Sequence, residues 1–243
     1  TSKSKIFSRS NQVEITRSTG ISTENSNLTK DGRYGLRVED EEICLNFPDV
    51  VNVLGVLESK NTNTPVLDRL TFVSGLNLDT NAIVGEKITG QDSRAVGQVV
   101  SRTSNTISFI YLNANKFVVG EQAIFDESGI QSITQNVTTG NYVDRTNNYT
   151  LDKGHKQQYS DYSRIVRKAK SAVPSKKLLI IFDRYDVQPG ESGDLFSVNS
   201  YTSDRYTKDI PAVGRNRATD ILDFRPRVTE YNPTTDQGTT LSP

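Results

Sequence analysis

His155 is the one histidine, and it sits in Asp152-Lys153-Gly154-His155-Lys156-Gln157, a polar stretch with a lysine on either side. A serine-hydrolase relay needs an imidazole to take the nucleophile's proton and a strained elbow to present the serine. No Gly-x-Ser-x-Gly word occurs, and Gly190-Glu191-Ser192-Gly193 lacks the frame. His155 is therefore expected in a solvated loop. Asp183, Asp186, Glu191 and Asp194 gather around one loop. Two such acids about 5–9 Å apart can hydrolyse a glycosidic bond, and the same acids could hold calcium, although their spacing is not that of an EF-hand loop. Asp is a turn former in its own right, so solvated turn acids are the expectation. One cysteine and one histidine cannot supply the four usual ligands of zinc, and neither a Walker A word nor Gly-x-Gly-x-x-Gly occurs. No catalytic, cofactor-binding or metal-ligating residue is assigned, and the chain is expected not to be an enzyme.

Composition narrows the partners. Lys and Arg total 29 against 29 Asp and Glu, so no global basic field exists to neutralise phosphates, and nucleic acid is not an expected partner. No apolar run approaches the roughly 20 residues of a membrane-spanning helix, the longest being Leu178-Leu179-Ile180-Ile181-Phe182, and no membrane partner is expected. Hydrophobic residues are 34% and the mean hydropathy is −0.54, which leaves little apolar material for several separate cores and points to support from neighbouring subunits. Cys44 lies in Ile43-Cys44-Leu45, has no partner for an internal disulfide, and is expected buried. The chain has no Met and begins at Thr1, which reads as a piece of a longer polypeptide.

The elements that must position any site read as short strands. Residues 1–35 are rich in Ser, Thr, Asn, Lys and Arg, and are expected to be an extended arm with one strand around Val13-Glu14-Ile15-Thr16. Residues 36–80 form a β segment of apolar runs bounded by Gly, Pro and acidic clusters. Residues 81–140 carry a 35-residue internal repeat, in which Val84-Gly85-Glu86 recurs as Val119-Gly120-Glu121. Around it Ala82 matches Phe117, Ile88 matches Ile124 with a one-residue slip, and Ser93 matches Ser128. Strand-forming Ala95–Val100 and Thr106–Leu112 lie between, so a small β-ribbon or barrel of two units is predicted.

A polar link from Thr138 to Asn148 leads to a β-sandwich-like domain at 149–228, and 229–243 is an exit arm or linker. Within the third region Tyr159, Tyr162, Ile165 and Val166 have helical spacing. The favoured alternative is an antiparallel hairpin of Arg164–Lys168 with Leu178–Phe182, closed by a long turn around Pro174. Asp186–Asp194 is expected as a loop and Leu195–Tyr201 as the next strand. In Asp223-Phe224-Arg225-Pro226-Arg227, Pro226 holds Arg225 extended, and the expectation for Arg225 is an exposed ion pair, the alternative being a bidentate bridge to Asp220, Asp223 or a partner's carboxylate. The overall class is all-β with little helix: several small antiparallel modules, sandwich or barrel-like, with extended terminal arms.

The run Tyr149-Thr150-Leu151, Tyr159-Ser160-Asp161-Tyr162-Ser163-Arg164-Ile165, Pro174 and Leu178–Asp183, continued by Gly193–Tyr201, Tyr206, Asp209-Ile210-Pro211 and Asp223–Arg227, resembles a segment of large tail-fibre-like or baseplate-associated virion structural proteins of T-even-like marine (cyanobacterial) myophages. It departs from that pattern at Ser163 and at Ser175-Lys176, where glycines are expected. The resemblance implies a non-catalytic structural component of a tailed phage virion (tail, baseplate or tail fibre), found in the virion and, during assembly, in the host cytoplasm. It implies other tail or baseplate proteins as partners and a homo-oligomer, either a trimer or ring-symmetric copies, with arms 1–35 and 229–243 ordered by neighbours. The alternative function is a host-receptor or carbohydrate-binding fibre module with a host glycan as partner and Tyr111, Tyr201 and Tyr206 as stacking platforms, and after it a glycan depolymerase.

Overall fold

The structure, a computed structural model, describes residues 4–15, 37–156, 159–160, 162–187, 200, 212–213, 216–217, 227–232 and 237–241, with backbone alone for 155–156, 159–160 and the residues beyond 200. With 50% strand against 5% helix and antiparallel sheets, the protein is all-β.

Three strands come first: β1 (Lys5–Ile15), β2 (Glu42–Cys44) and β3 (Val50–Ser59). Six consecutive strands follow, β4 (Asp68–Phe72), β5 (Lys87–Gly90), β6 (Val96–Arg102), β7 (Thr106–Tyr111), β8 (Gln122–Phe125) and β9 (Gln131–Thr138), with a one-turn helix α1 (Leu78–Asn81) between β4 and β5. The chain returns through β10 (Tyr142–Asp144), β11 (Tyr149–Asp152), β12 (His155–Lys156), β13 (Tyr159–Ser160), β14 (Arg164–Arg167) and β15 (Leu178–Val187). Two backbone hairpins, β16 (Ala212–Val213) with β17 (Asn216–Arg217) and β18 (Arg227–Asn232) with β19 (Gln237–Leu241), complete the described strands.

The six middle strands close a barrel in the order β4-β7-β6-β5-β8-β9, which leaves that sheet no free edge. Its interior holds Leu70, Phe72, Ile88, Val99, Ile107, Phe109, Phe117 and Phe125 among others, each large side chain worth about 1.5–3 kcal/mol of burial. The flanking segments build a sandwich: a four-stranded sheet β1-β15-β3-β10 over a three-stranded sheet β11-β14-β2. The core between them includes Ile15, Ile43, Leu45, Val56, Ile165, Leu178, Ile180 and Phe182.

β15 explains how the layers stack. Leu178, Ile180 and Phe182 point into the sandwich core, whereas Leu179 and Ile181 point the other way, onto Leu67, Val100 and Ile110 at the barrel. A strand covered on both faces must be apolar at every position, which accounts for the uninterrupted run Leu178–Phe182. The four-stranded sheet is thus the middle layer, with the second sheet on one side and the barrel on the other.

Several expectations change. The Arg164–Lys168 and Leu178–Phe182 segments are strands, but they do not form a hairpin: β14 pairs with β11 and β2, and β15 pairs with β1 and β3. Neither has a free edge for the other. The connection crosses between sheets instead, held where Glu58 accepts from the Ser175 amide at 2.7 Å and the Lys176 amide at 3.2 Å. The helical spacing around Tyr159–Val166 yields β13 and β14, not a helix.

The polar link Thr138–Asn148 contains a strand, β10, whose Tyr142 faces Ser59. Lys5–Ile15 of the expected arm pairs from Lys5↔Val187 to Ile15↔Leu178, so this part is a strand of its own chain's sheet. The barrel takes its first strand, β4, from the 36–80 segment, and the sandwich draws on residues 5–15, 42–59 and 142–187. Asp186 and Val187 are the last two residues of β15 and not loop, while the rest of the expected 186–194 loop and the strand Leu195–Tyr201, apart from Ser200, lie outside the described residues. Within 229–243 the backbone of β18 and β19 is described and 233–236 and 242–243 are not.

Candidate functional site

The repeated Val-Gly-Glu word marks a pair of buried carboxylates. Glu86 and Glu121 are 0% and 2% exposed, and a charge so placed requires a full set of donors. Glu86 accepts from its own turn, the Ile83 amide at 2.5 Å, and from the other repeat: the amides of Glu127 (3.3 Å) and Ser128 (2.9 Å) and the Ser128 hydroxyl (3.1 Å). Glu121 does the same in reverse, accepting from Val118 N (2.6 Å), Asp92 N (3.2 Å), Ser93 N (2.9 Å) and Ser93 Oγ (2.9 Å). Each glutamate therefore locks the turn of the opposite repeat, and a pseudo-two-fold axis relates the halves.

Backbone bonds repeat with it. Gly85 N donates to Val99 O and Gly120 N to Thr134 O, both at 2.8 Å, with glycine φ of +86° and +90°, a region costly for residues with a Cβ. Burial works to raise the Glu121 carboxyl, but the hydrogen bonds from Ser93, Val118 and Asp92 outweigh it and hold the group below the ordinary glutamate range. The repeat needs no slip: β5 and β8 align as Ile88 with Ala123, both buried, and Thr89 with Ile124, both half-buried.

One of the two halves meets the sandwich. β1 breaks its register between Ser8 and Asn11, and Ser10 takes φ +54°, as a bulge does. The bulge throws Arg9 against the barrel, where its guanidinium is bidentate to Glu127, with Nη2 to Oε2 at 2.9 Å. Ser10 N donates to Asp183 (2.7 Å), its hydroxyl donates to Val99 O (2.8 Å), and Gln98 Nε2 donates to that hydroxyl (3.2 Å). Gly85 is required by contact as well as by φ, because a Cβ there would stand 2.3 Å from the Arg9 Cβ. Burial pushes the Asp183 carboxyl above the ordinary aspartate range, against the lowering influence of the Ser10 amide, Arg9, Gln98 and Asn52.

The sequence-named residues scatter. Asp183 is a buried strut at this junction, whereas Asp186 is ion-paired to Arg184, so the structure gives these two acids separate duties. Glu191, Asp194, Tyr201, Tyr206, Asp220, Asp223, Phe224 and Arg225 lie outside the described residues. His155 is in the two-residue strand β12, whose backbone alone is described. Cys44 is buried and unbridged. Tyr111 does not present an open ring face: Lys116 Nζ sits 3.5 Å from its centroid, and the rings of Phe109 and Phe117 flank it.

Sequence reading found the Val-Gly-Glu words and the Ser93/Ser128 match but missed their link, which two Glu-x6-Ser words 35 residues apart encode. It also missed Lys5, 1% exposed and ion-paired at 3.0 Å with Asp49.

Between the layers, Gln12, Glu14, Thr64, Leu67, Arg69 and Leu179 line an open cleft, where the Thr64 hydroxyl donates to Glu14 at 2.8 Å. Among the described residues no three His, Cys, Asp or Glu side chains converge as metal ligands, and no helix is long and apolar enough to cross a membrane. The chain matches no protein-family model, no curated protein and no solved structure.

Proposed function

We propose that the protein is a non-catalytic structural component of a tailed phage virion, in the tail, baseplate or a tail fibre, working through interfaces with other virion proteins and with further copies of itself. The observation that carries the structural role is how the buried acids are used. Glu86, Glu121, Asp183, Glu58 and Asp68 each accept from backbone amides, and Asp49 holds Lys5, so these acids brace the scaffold's own turns and strands. A group that is to move protons instead needs reach to a substrate.

The virion setting rests on the resemblance of the segments from Tyr149 onward. Lys5–Ile15 is an edge strand of its own sheet, so in this reading it is anchored within the chain, and subunit interfaces run over the surfaces around it.

Electron cryomicroscopy of intact virions, with this chain traced into the density, tests the proposal. Density in the tail or baseplate, repeated around its symmetry axis, is the expected result. A chain absent from purified virions, or cleavage of a host glycan that is lost on Asp186→Ala, would overturn it.

A further inference from the structure

The cleft between the barrel and the middle sheet has two polar walls. On the barrel side Arg69 pairs with Ser108 and Ser108 with Ser101, so three directly opposed residues of β4, β7 and β6 form one row across the outer face. Adjacent strands lie about 4.8 Å apart, which spreads that row over roughly 10 Å. On the sheet side Gln12 and Glu14 pair with Ile181 and Leu179, the two β15 residues that point at the barrel, and so stand on that same face, about 7 Å apart along β1. Leu67 and Leu179, 6% and 7% exposed, supply the apolar floor, and Thr64 joins the lining. The space of about 360 Å³ falls in the range of small-ligand sites, about 300–1,000 Å³, which favour junctions between domains.

The charges of the two walls do not cancel. Glu14 is neutralised by Lys177 at 3.1 Å and accepts from the Thr64 hydroxyl. Arg69 is exposed and has no ion pair among the described residues, so the cleft keeps one uncompensated cation. The pseudo-two-fold relates this row to Thr106, Thr71 and Asn136: Ser101 lies 35 residues before Asn136, and Ser108 pairs with Ser101 as Thr71 pairs with Asn136. That second row carries no charged group, so of the two rows only the one facing the sheet holds an arginine.

We propose that the cleft binds a hydroxylated carboxylate of sugar-ring size, a uronic acid unit, with its carboxylate on Arg69, its hydroxyls on Gln12, Glu14, Ser101 and Ser108, and its ring over Leu179. The lining selects this chemistry. β4, β6, β7 and β15 are hydrogen-bonded on both sides, so the walls offer side chains and no free backbone edge to which a polypeptide strand could be added. An apolar occupant would leave Arg69, Gln12 and the serines without partners. Hydroxyl groups donate and accept at once, which suits an amide, two serines and a carboxylate together, and the planar fork of a guanidinium takes a carboxylate through two hydrogen bonds. The inference rests on the cleft alone and does not depend on the virion setting.

The test titrates methyl β-glucuronide into the isotope-labelled full chain and follows backbone amide shifts. Saturable shifts at Gln12, Glu14, Arg69, Ser101 and Ser108, with Thr71, Thr106 and Asn136 unmoved, are expected at a Kd of about 10 mM or tighter. Methyl β-glucoside, which lacks the carboxylate, and acetate, which lacks the ring, should each bind at least about tenfold more weakly. Arg69 and Gln12 are exposed, so Arg69→Met and Gln12→Ala should keep the remaining amide spectrum while weakening the glucuronide about tenfold and about threefold. No saturable shift up to about 100 mM glucuronide would overturn the proposal. Equal binding of acetate, which would reduce the site to a bare anion contact, would do the same, as would equal binding of the glucoside or an affinity that Arg69→Met leaves unchanged.

Discussion

The two halves of the barrel share one device and live in different surroundings. Glu86 and Glu121 make the same four hydrogen bonds with the same geometry, yet the turn that Glu86 holds is the one that grips Arg9, while the turn that Glu121 holds faces outward. Stability and attachment are thus separable in this fold: the glutamates serve the first in both halves, and the residues around Gly85 add the second in one half only.

The largest expected effect tests the shared part. Glu86→Ala and Glu121→Ala each strand several buried donors, and each should cost about 3–5 kcal/mol in chemical denaturation. Near-equal losses are expected; a loss confined to Glu86→Ala would break the symmetry. A smaller pair of effects tests the unshared part. Gly120→Ala should cost about 1–2 kcal/mol, the strain of a positive φ alone. Gly85→Ala adds the clash with Arg9 and should cost about 1–3 kcal/mol more, with faster hydrogen exchange in β1. Equal costs would mean that Arg9 yields freely.

The smallest effect is in pH. The Glu121 carboxyl is held low, so its contribution is present above the ordinary glutamate value and is lost as pH falls below it toward the folded value. The Asp183 carboxyl is held high, so its contribution is complete below the ordinary aspartate value and is lost as pH rises through the folded value. Unfolding midpoints should therefore show Glu121→Gln removing part of the acid-side decline, while Asp183→Asn removes a decline of opposite slope. The same slope change in both variants would contradict the hydrogen-bond assignments.

Much of this architecture is legible in the amino-acid sequence because it is local. Short β-branched runs punctuated by Gly and Pro give strands, and the Val-Gly-Glu recurrence points to a two-unit β-ribbon or barrel, of which the structure shows the barrel. What escapes is what depends on distant partners. Arg164–Arg167 and Leu178–Phe182 are adjacent strands in the chain, and nothing in their spacing reveals that each already has two other neighbours. Lys5 looks like part of a polar arm because its partner, Asp49, lies 44 residues on. Asp183 reads as a turn acid for the same reason: its donor, Ser10, is 173 residues away.

The barrel leaves the middle sheet after Ser59 and returns at Tyr142, and those two residues face each other across β3 and β10. For an unfolded chain, bringing ends about 80 residues apart together costs on the order of 4 kcal/mol in loop entropy. A barrel that closes first places both ends side by side and removes most of that cost before the sandwich begins to form. The insertion therefore couples the two parts through chain entropy: a variant that opens the barrel should also weaken the pairing of β3 with β10, because their ends are then no longer held together.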